Sequence, residues 1–163
     1  SYFSAAIFAF LILNLGLTQR IVKKVFLGDA GTTIIGFFLC WHLIRMSNGD
    51  NAVFRPITAV WLLALPIMDT LAVMIRRISS QQSPFRPGRN HIHHQLMNIG
   101  FSSRKTLVIL VAFSMSLVGV GVLCEVKKVP ESFMFYGILI LFGLYYVSSE
   151  KLSRHTKIKR VDL

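Results

Sequence analysis

Carboxylates are the scarcest functional group in this sequence: seven Asp and Glu stand against eighteen Lys and Arg, and charged side chains make up 15% of the 163 residues. A soluble domain carries about a quarter. With 53% apolar residues and a mean hydropathy of +0.59, the shortage excludes an ordinary water-soluble fold, which has no interior large enough to hide so much apolar surface. Cysteine is almost missing as well. Cys40 and Cys124 lie far apart and outside any CxxC pattern, which argues against a disulfide framework and leaves them as small buried apolar residues. No stretch alternates apolar and polar with the period of two that a membrane barrel needs. No repeat or low-complexity segment is present. No Met or basic region precedes the first apolar run, so that run does not read as a signal peptide.

Apolar length is what the sequence has in quantity. Five stretches, 1–17, 30–46, 57–75, 106–124 and 132–148, reach or approach the ~20 helical residues that cross a bilayer core. The expected fold class is therefore all-α: a polytopic membrane protein of about five transmembrane helices. Residues 1–163 read as one integral-membrane domain, with a short first span that suggests missing upstream helices.

The cations give an orientation, because Lys and Arg accumulate on the cytoplasmic side. The connections after the first and third stretches and the tail after the fifth hold fourteen of the eighteen, while Arg45, Arg55, Lys127 and Lys128 hold the other side. This places the amino terminus outside and the carboxyl terminus in the cytoplasm. A net charge of +11 then reflects a positive inner face beside anionic lipid, and nucleic acid is not an expected partner. Oligomeric state is not legible, since lipid-facing and protein-facing helix surfaces look alike in sequence.

Among the acids, Asp50, Glu125 and Glu131 fall on the outer side and Glu150 and Asp162 in the basic tail, which leaves Asp29 and Asp69 as candidates. Asp29, in KVFLGDAGTTIIG, has two compatible readings. One is an N-cap accepting from the free amides of the helix's first turn. The other is a carboxylate holding Mg²⁺ for a phosphate substrate, with Gly28, Gly31 and Gly36 letting backbone and ligand come close. Asp69, in ALPIMDTLAVMIRR, sits roughly 9 Å of helix below the inner end of its span. A carboxylate at that depth needs a polar cavity or a partner and marks a functional site or a packing pair. Pro66 frees the carbonyl of Leu62 and is expected to kink this helix.

The loop FRPGRNHIHHQLM, 85–97, packs three histidines and two arginines into thirteen positions without a carboxylate. Residues 90–100 form an expected short helix with Ile92, Leu96 and Ile99 along one stripe. On it His91 and His94 share a face and His93 points about a quarter turn away, a poor arrangement for tetrahedral zinc. Donation to phosphate oxygens suits the loop better: Arg86 and Arg89 supply charged forks and the imidazoles supply directional donors. A solvated basic loop would explain the arginines but not the clustered histidines. Downstream, Ser102 or Ser103 is the expected cap of the next span.

KVFLGDAG followed some sixty residues later by SPFRPGRNHIHHQL resembles the polyprenyl-phosphate N-acetylhexosamine-1-phosphate transferases across nearly the whole chain. The resemblance implies an inner-membrane bacterial enzyme that moves a sugar 1-phosphate, GlcNAc-1-phosphate by the best match, from a UDP-sugar to undecaprenyl phosphate. UMP leaves, and a lipid-linked sugar begins an O-antigen or related cell-surface glycan. Mg²⁺ or Mn²⁺ is the implied cofactor, with Asp29 as its ligand. His91, His93 and His94, with Arg89 before them, are implied to bind the nucleotide sugar or its phosphates. Gly28, Arg86 and Asp69 join the substrate-binding set, Asp69 as a support from beneath and not as a metal ligand.

Three departures accompany the resemblance. Gly88 stands where relatives usually carry Asp, Thr32 replaces a common Ser, and the family's DDxxD stretch and second Asp-rich motif do not occur in these residues. On this reading the chain is the C-terminal part of a longer transferase and is inactive alone. Two other classes remain open: a non-catalytic remnant of the same family, and a metal-binding membrane protein using HIHH with Asp69. Within the enzymes, a MurNAc-pentapeptide transferase would be expected to carry three consecutive histidines.

Overall fold

Residue chemistry dictates helix throughout. Long apolar runs without period-two alternation satisfy their backbone internally, as any segment in lipid must. The computed structural model describes residues 7, 8, 10, 27–85 and 91–161, with side chains up to 153. Among the described residues all regular structure is helical: α1 Gly28–Ser47, α2 Pro56–Leu62, α3 Ala64–Ser79, α4 Ile92–Ile99, α5 Ser103–Val126 and α6 Glu131–Val161. The chain divides into two units, Ser1–Leu43 and Ile44–Leu163. The first contains most of α1 and the second the remaining helices.

Two helices are long and apolar enough to cross a membrane, α5 and the segment Glu131–Ser153 of α6, and the bent pair α2–α3 makes a third if counted as one span. These correspond to three of the five expected spans. Only 11% and 17% of the apolar windows of α5 and α6 are buried, so their outward faces (Val108, Met115, Ile140 and Leu144 among them) need lipid as solvent. The chain is a membrane protein. α1 is helical where a span was expected, and is not among the helices counted as long and apolar enough among the described residues; Asp29, His42 and Arg45 all fall within it. The expected first span lies mostly outside the described residues.

The second unit is built around the bend. Pro66 occupies the third position of α3, where its missing N–H costs no intrahelical bond but leaves Leu62 without its usual acceptance. The chain breaks at Leu63, φ −107°, and α2 and α3 diverge by 76°. Both halves bury one face: Ile57, Trp61, Leu65 and Met68 pack with Leu117 of α5 and with Met134 and Ile138 of α6. Close approach depends on Gly121, where an added Cβ would lie 2.5 Å from Trp61 Cβ. The indole N–H donates to the Met134 carbonyl at 3.2 Å, as a buried Trp requires.

One end of this bundle is tied by ions. Arg55 Nε lies 3.1 Å from Glu125 Oε2, Arg55 Nη1 donates to the Val129 carbonyl at 2.6 Å, and Thr58 Oγ1 donates to Glu125. Glu125, set aside on sequence grounds, thus joins the start of α2, the end of α5 and the α5–α6 turn. The cysteines correct another expectation: both are free, Cys40 exposed and Cys124 half-buried, so neither is a fully buried core residue. Ser102 caps α5, accepting from the Lys105 amide at 3.4 Å.

Candidate functional site

At the opposite end of α5 from Glu125, α4 lies against α5 and α6. Its carboxyl terminus is set by Gly100 in the left-handed region, φ 113°. There the Gly100 amide donates to Met97 O at 3.0 Å and the Phe101 amide to Leu96 O at 3.2 Å, the paired closure that a left-handed glycine permits. Its amino terminus is set by Asp69. Oδ1 accepts the Ile92 amide at 3.0 Å, and Oδ2 lies 2.9 Å from His91 Nδ1. A third donor, the Tyr145 hydroxyl on α6, reaches Oδ1 at 2.9 Å. One carboxylate of α3 therefore holds α4 and α6 together, and its side chain is only 14% exposed.

This explains how Asp69 is tolerated within an apolar stretch: its oxygens are occupied by protein donors, as a desolvated carboxylate requires. Among the described residues its partners are an imidazole, a backbone amide and a phenol, not a Lys or Arg. Nearby, Arg76 Nη1 donates to Ser149 Oγ at 2.9 Å, a second tie between α3 and α6.

The three histidines are brought together, in an arrangement that differs from the helical expectation. His91 is the N-cap residue of α4, extended at φ −70°, ψ 153°, so it lies outside the helix instead of sharing a face with His94. The helix begins at Ile92 because Asp69 satisfies that amide. Its ring stacks alongside that of His93, centroids 5.9 Å apart and planes 13° apart, and the His93 and His94 rings approach to 4.1 Å. Burial, followed by the neighbouring His94 and His91, holds the His93 imidazole below its ordinary pKa of 6.5, with Asp69 pulling the other way. A largely neutral imidazole at physiological pH can present one N–H and one lone pair.

Asp29 belongs to the first unit. It is exposed and lies in the first turn of α1, not ahead of it, which corrects the N-cap reading. Gly28 opens the helix in the left-handed region, φ 69°, a conformation that a side chain would strain. The Thr32 and Thr33 hydroxyls both donate to the Asp29 carbonyl, at 2.9 and 2.8 Å, so these hydroxyls are engaged with backbone. A Cβ on Gly31 would fall 2.7 Å from Leu27 Cγ, while Gly36 faces open space. Arg86 and Arg89 lie outside the described residues. Among the described residues no group of three or more His, Cys, Asp or Glu side chains converges to hold a metal ion, so these residues do not by themselves fit a complete Mg²⁺ or Mn²⁺ site.

Tyr145 escaped the sequence reading, since it sits in an apolar run beside a second tyrosine. The only available signal was that a phenol inside a span needs a polar partner, and Asp69 is one.

No family model and no solved structure matches the chain. Curated relatives do. It is 44% identical over 142 residues to the undecaprenyl-phosphate alpha-N-acetylglucosaminyl 1-phosphate transferases of Salmonella typhi and Escherichia coli K12, covering 86% of this chain and 38% of each relative. With the Haemophilus influenzae protein of that name it shares 41% over 143 residues, 88% of this chain and 40% of the relative. The chain spans about two fifths of the length of these relatives. Over the part that it spans, the chain is homologous to the undecaprenyl-phosphate alpha-N-acetylglucosaminyl 1-phosphate transferases.

Proposed function

We propose that the chain forms part of a membrane enzyme transferring GlcNAc 1-phosphate from UDP-GlcNAc to undecaprenyl phosphate. A phosphate oxygen of the lipid attacks the β-phosphorus, which carries the sugar; the bond from that phosphorus to the bridging oxygen breaks, and UMP leaves with the electron pair. The product is the lipid-linked GlcNAc diphosphate. The reading is carried by 44% identity over 86% of the chain. It is supported by an imidazole cluster at one end of the candidate spans, where a lipid phosphate and a water-soluble nucleotide would meet.

In this reading His91, His93 and His94 contact phosphate oxygens at the cytoplasmic surface of a bacterial inner membrane, and Arg86 and Arg89 add charge to the same loop. Asp29, beside Gly28, contributes one carboxylate to a Mg²⁺ or Mn²⁺ site whose other ligands come from outside the described residues. Bound there, the cation would neutralise diphosphate charge. The product would begin a cell-surface glycan.

The test is UMP release from UDP-GlcNAc in the intact protein, with undecaprenyl phosphate as acceptor and with or without chelator. Chelation and Asp29→Asn should each abolish turnover. A fully active Asp29→Asn protein would remove Asp29 from the metal site, and a wild-type protein that releases no UMP would overturn the activity.

A further inference from the structure

The two oxygens of Asp69 are used unequally. Oδ1 accepts from the Ile92 amide and the Tyr145 hydroxyl, at 3.0 and 2.9 Å, while among the described residues Oδ2 meets the ring of His91, at 2.9 Å from Nδ1. A carboxylate cannot donate, so the hydrogen in the last contact belongs to Nδ1. We propose that Asp69 is a positioning residue: it fixes His91 as the Nδ1–H tautomer and thereby presents Nε2 as the ring atom that meets the substrate.

The geometry leaves His91 little choice. Its backbone is extended as the N-cap of α4, and the next residue's amide is held by the same carboxylate, so main chain and ring are fixed from one side. Its ring is stacked on that of His93, which limits rotation about the remaining torsion. The side chain is still 35% exposed, and Nδ1 is taken, so the accessible ring atom is Nε2. In the neutral ring Nε2 accepts a proton or a hydrogen bond. Once it is protonated, Nε2–H donates to a phosphate oxygen while the Asp69 carboxylate balances the imidazolium charge. Carboxylates behind functional imidazoles set tautomer and basicity in this way.

The unequal use of the oxygens provides a discriminating variant. In Asp69→Asn the amide oxygen can keep both bonds made at Oδ1, the Ile92 amide and the Tyr145 hydroxyl. Its NH₂ group then faces His91 Nδ1, which must become an acceptor, and the tautomer reverses to Nε2–H. Fold and helix cap survive while the presented atom changes character.

The role in turnover rests on the transferase reading above; the tautomer does not. The experiment is ¹⁵N-histidine solid-state NMR of the intact protein in bilayers, with His91 assigned by its loss in His91→Gln, run beside the UMP-release assay. Wild type should show a protonated Nδ1 and, when neutral, an unprotonated Nε2; Asp69→Asn should show the reverse, with kcat/KM reduced roughly ten- to hundredfold and a shifted pH profile. An unchanged tautomer in Asp69→Asn overturns the proposal, as does a reversed tautomer with unaltered kinetics. Wild type without UMP release would sink the transferase reading, and the spectra would still decide the Asp69–His91 pairing.

Discussion

The Tyr145 hydroxyl and the Asp69 carboxylate meet at 2.9 Å across 76 residues of sequence. The bond joins α3 to α6 on the oxygen that also caps α4. Removing it with Tyr145→Phe keeps the ring's packing and deletes one donor to a carboxylate, a loss of about 2 kcal/mol. Thermal unfolding in detergent should show that loss, with the His91 contact to the other oxygen retained. Unaltered stability in Tyr145→Phe would mean that the phenol contributes nothing to holding α6.

Gly121 separates close packing from helix propensity. A Cβ there would lie 2.5 Å from Trp61 Cβ, whereas one at Gly119, two residues earlier in the same helix, would meet nothing within 4 Å. Gly121→Ala should destabilise by about 1–3 kcal/mol through overpacking, and Gly119→Ala should be neutral or stabilising by up to about 1 kcal/mol. Shortening Trp61 to Phe should not rescue Gly121→Ala, because Phe retains the Cβ involved. Equal unfolding temperatures for the two alanine variants would refute the contact.

How much of this was legible beforehand depended on the range of the interaction. The helical class, the bend near Pro66 and the Ser102 cap follow from local chemistry, and each is found. The start of α4 is not legible locally because it is set by Asp69, 23 residues upstream; helical periodicity alone puts His91 on a face that it does not occupy. The Arg55–Glu125 tie, 70 residues long, is invisible in sequence for the same reason, where Glu125 reads only as an acid on the outer side. α1 shows the converse: its apolar run is evident along the chain, and it is helical there.

That ion pair makes its own prediction. Arg55 and Glu125 side chains are 26% and 24% exposed, and each keeps another partner when the other is removed: Glu125 keeps Thr58, and Arg55 keeps the Val129 carbonyl. A double-mutant cycle with Arg55→Ala and Glu125→Ala should therefore give a favourable coupling of about 1 kcal/mol, near the lower end for contacting pairs. Additive effects would show that the backbone contact, and not the ion pair, holds this end together.

His93 supplies the pH dependence. Its imidazole is held below 6.5 by burial first and then by His94 and His91, so the folded chain favours the neutral form more than the unfolded chain does. The sign follows: this contribution to stability is full above about pH 6.5, the unfolded value, and is lost as pH falls through the lower folded value. Proton uptake by the unfolded state drives that loss. An NMR titration of His93 should give a midpoint below 6.5, and His94→Gln, which deletes one neighbouring positive charge, should move the midpoint upward. A wild-type midpoint at or above 6.5 would show that Asp69 outweighs burial and the two histidines.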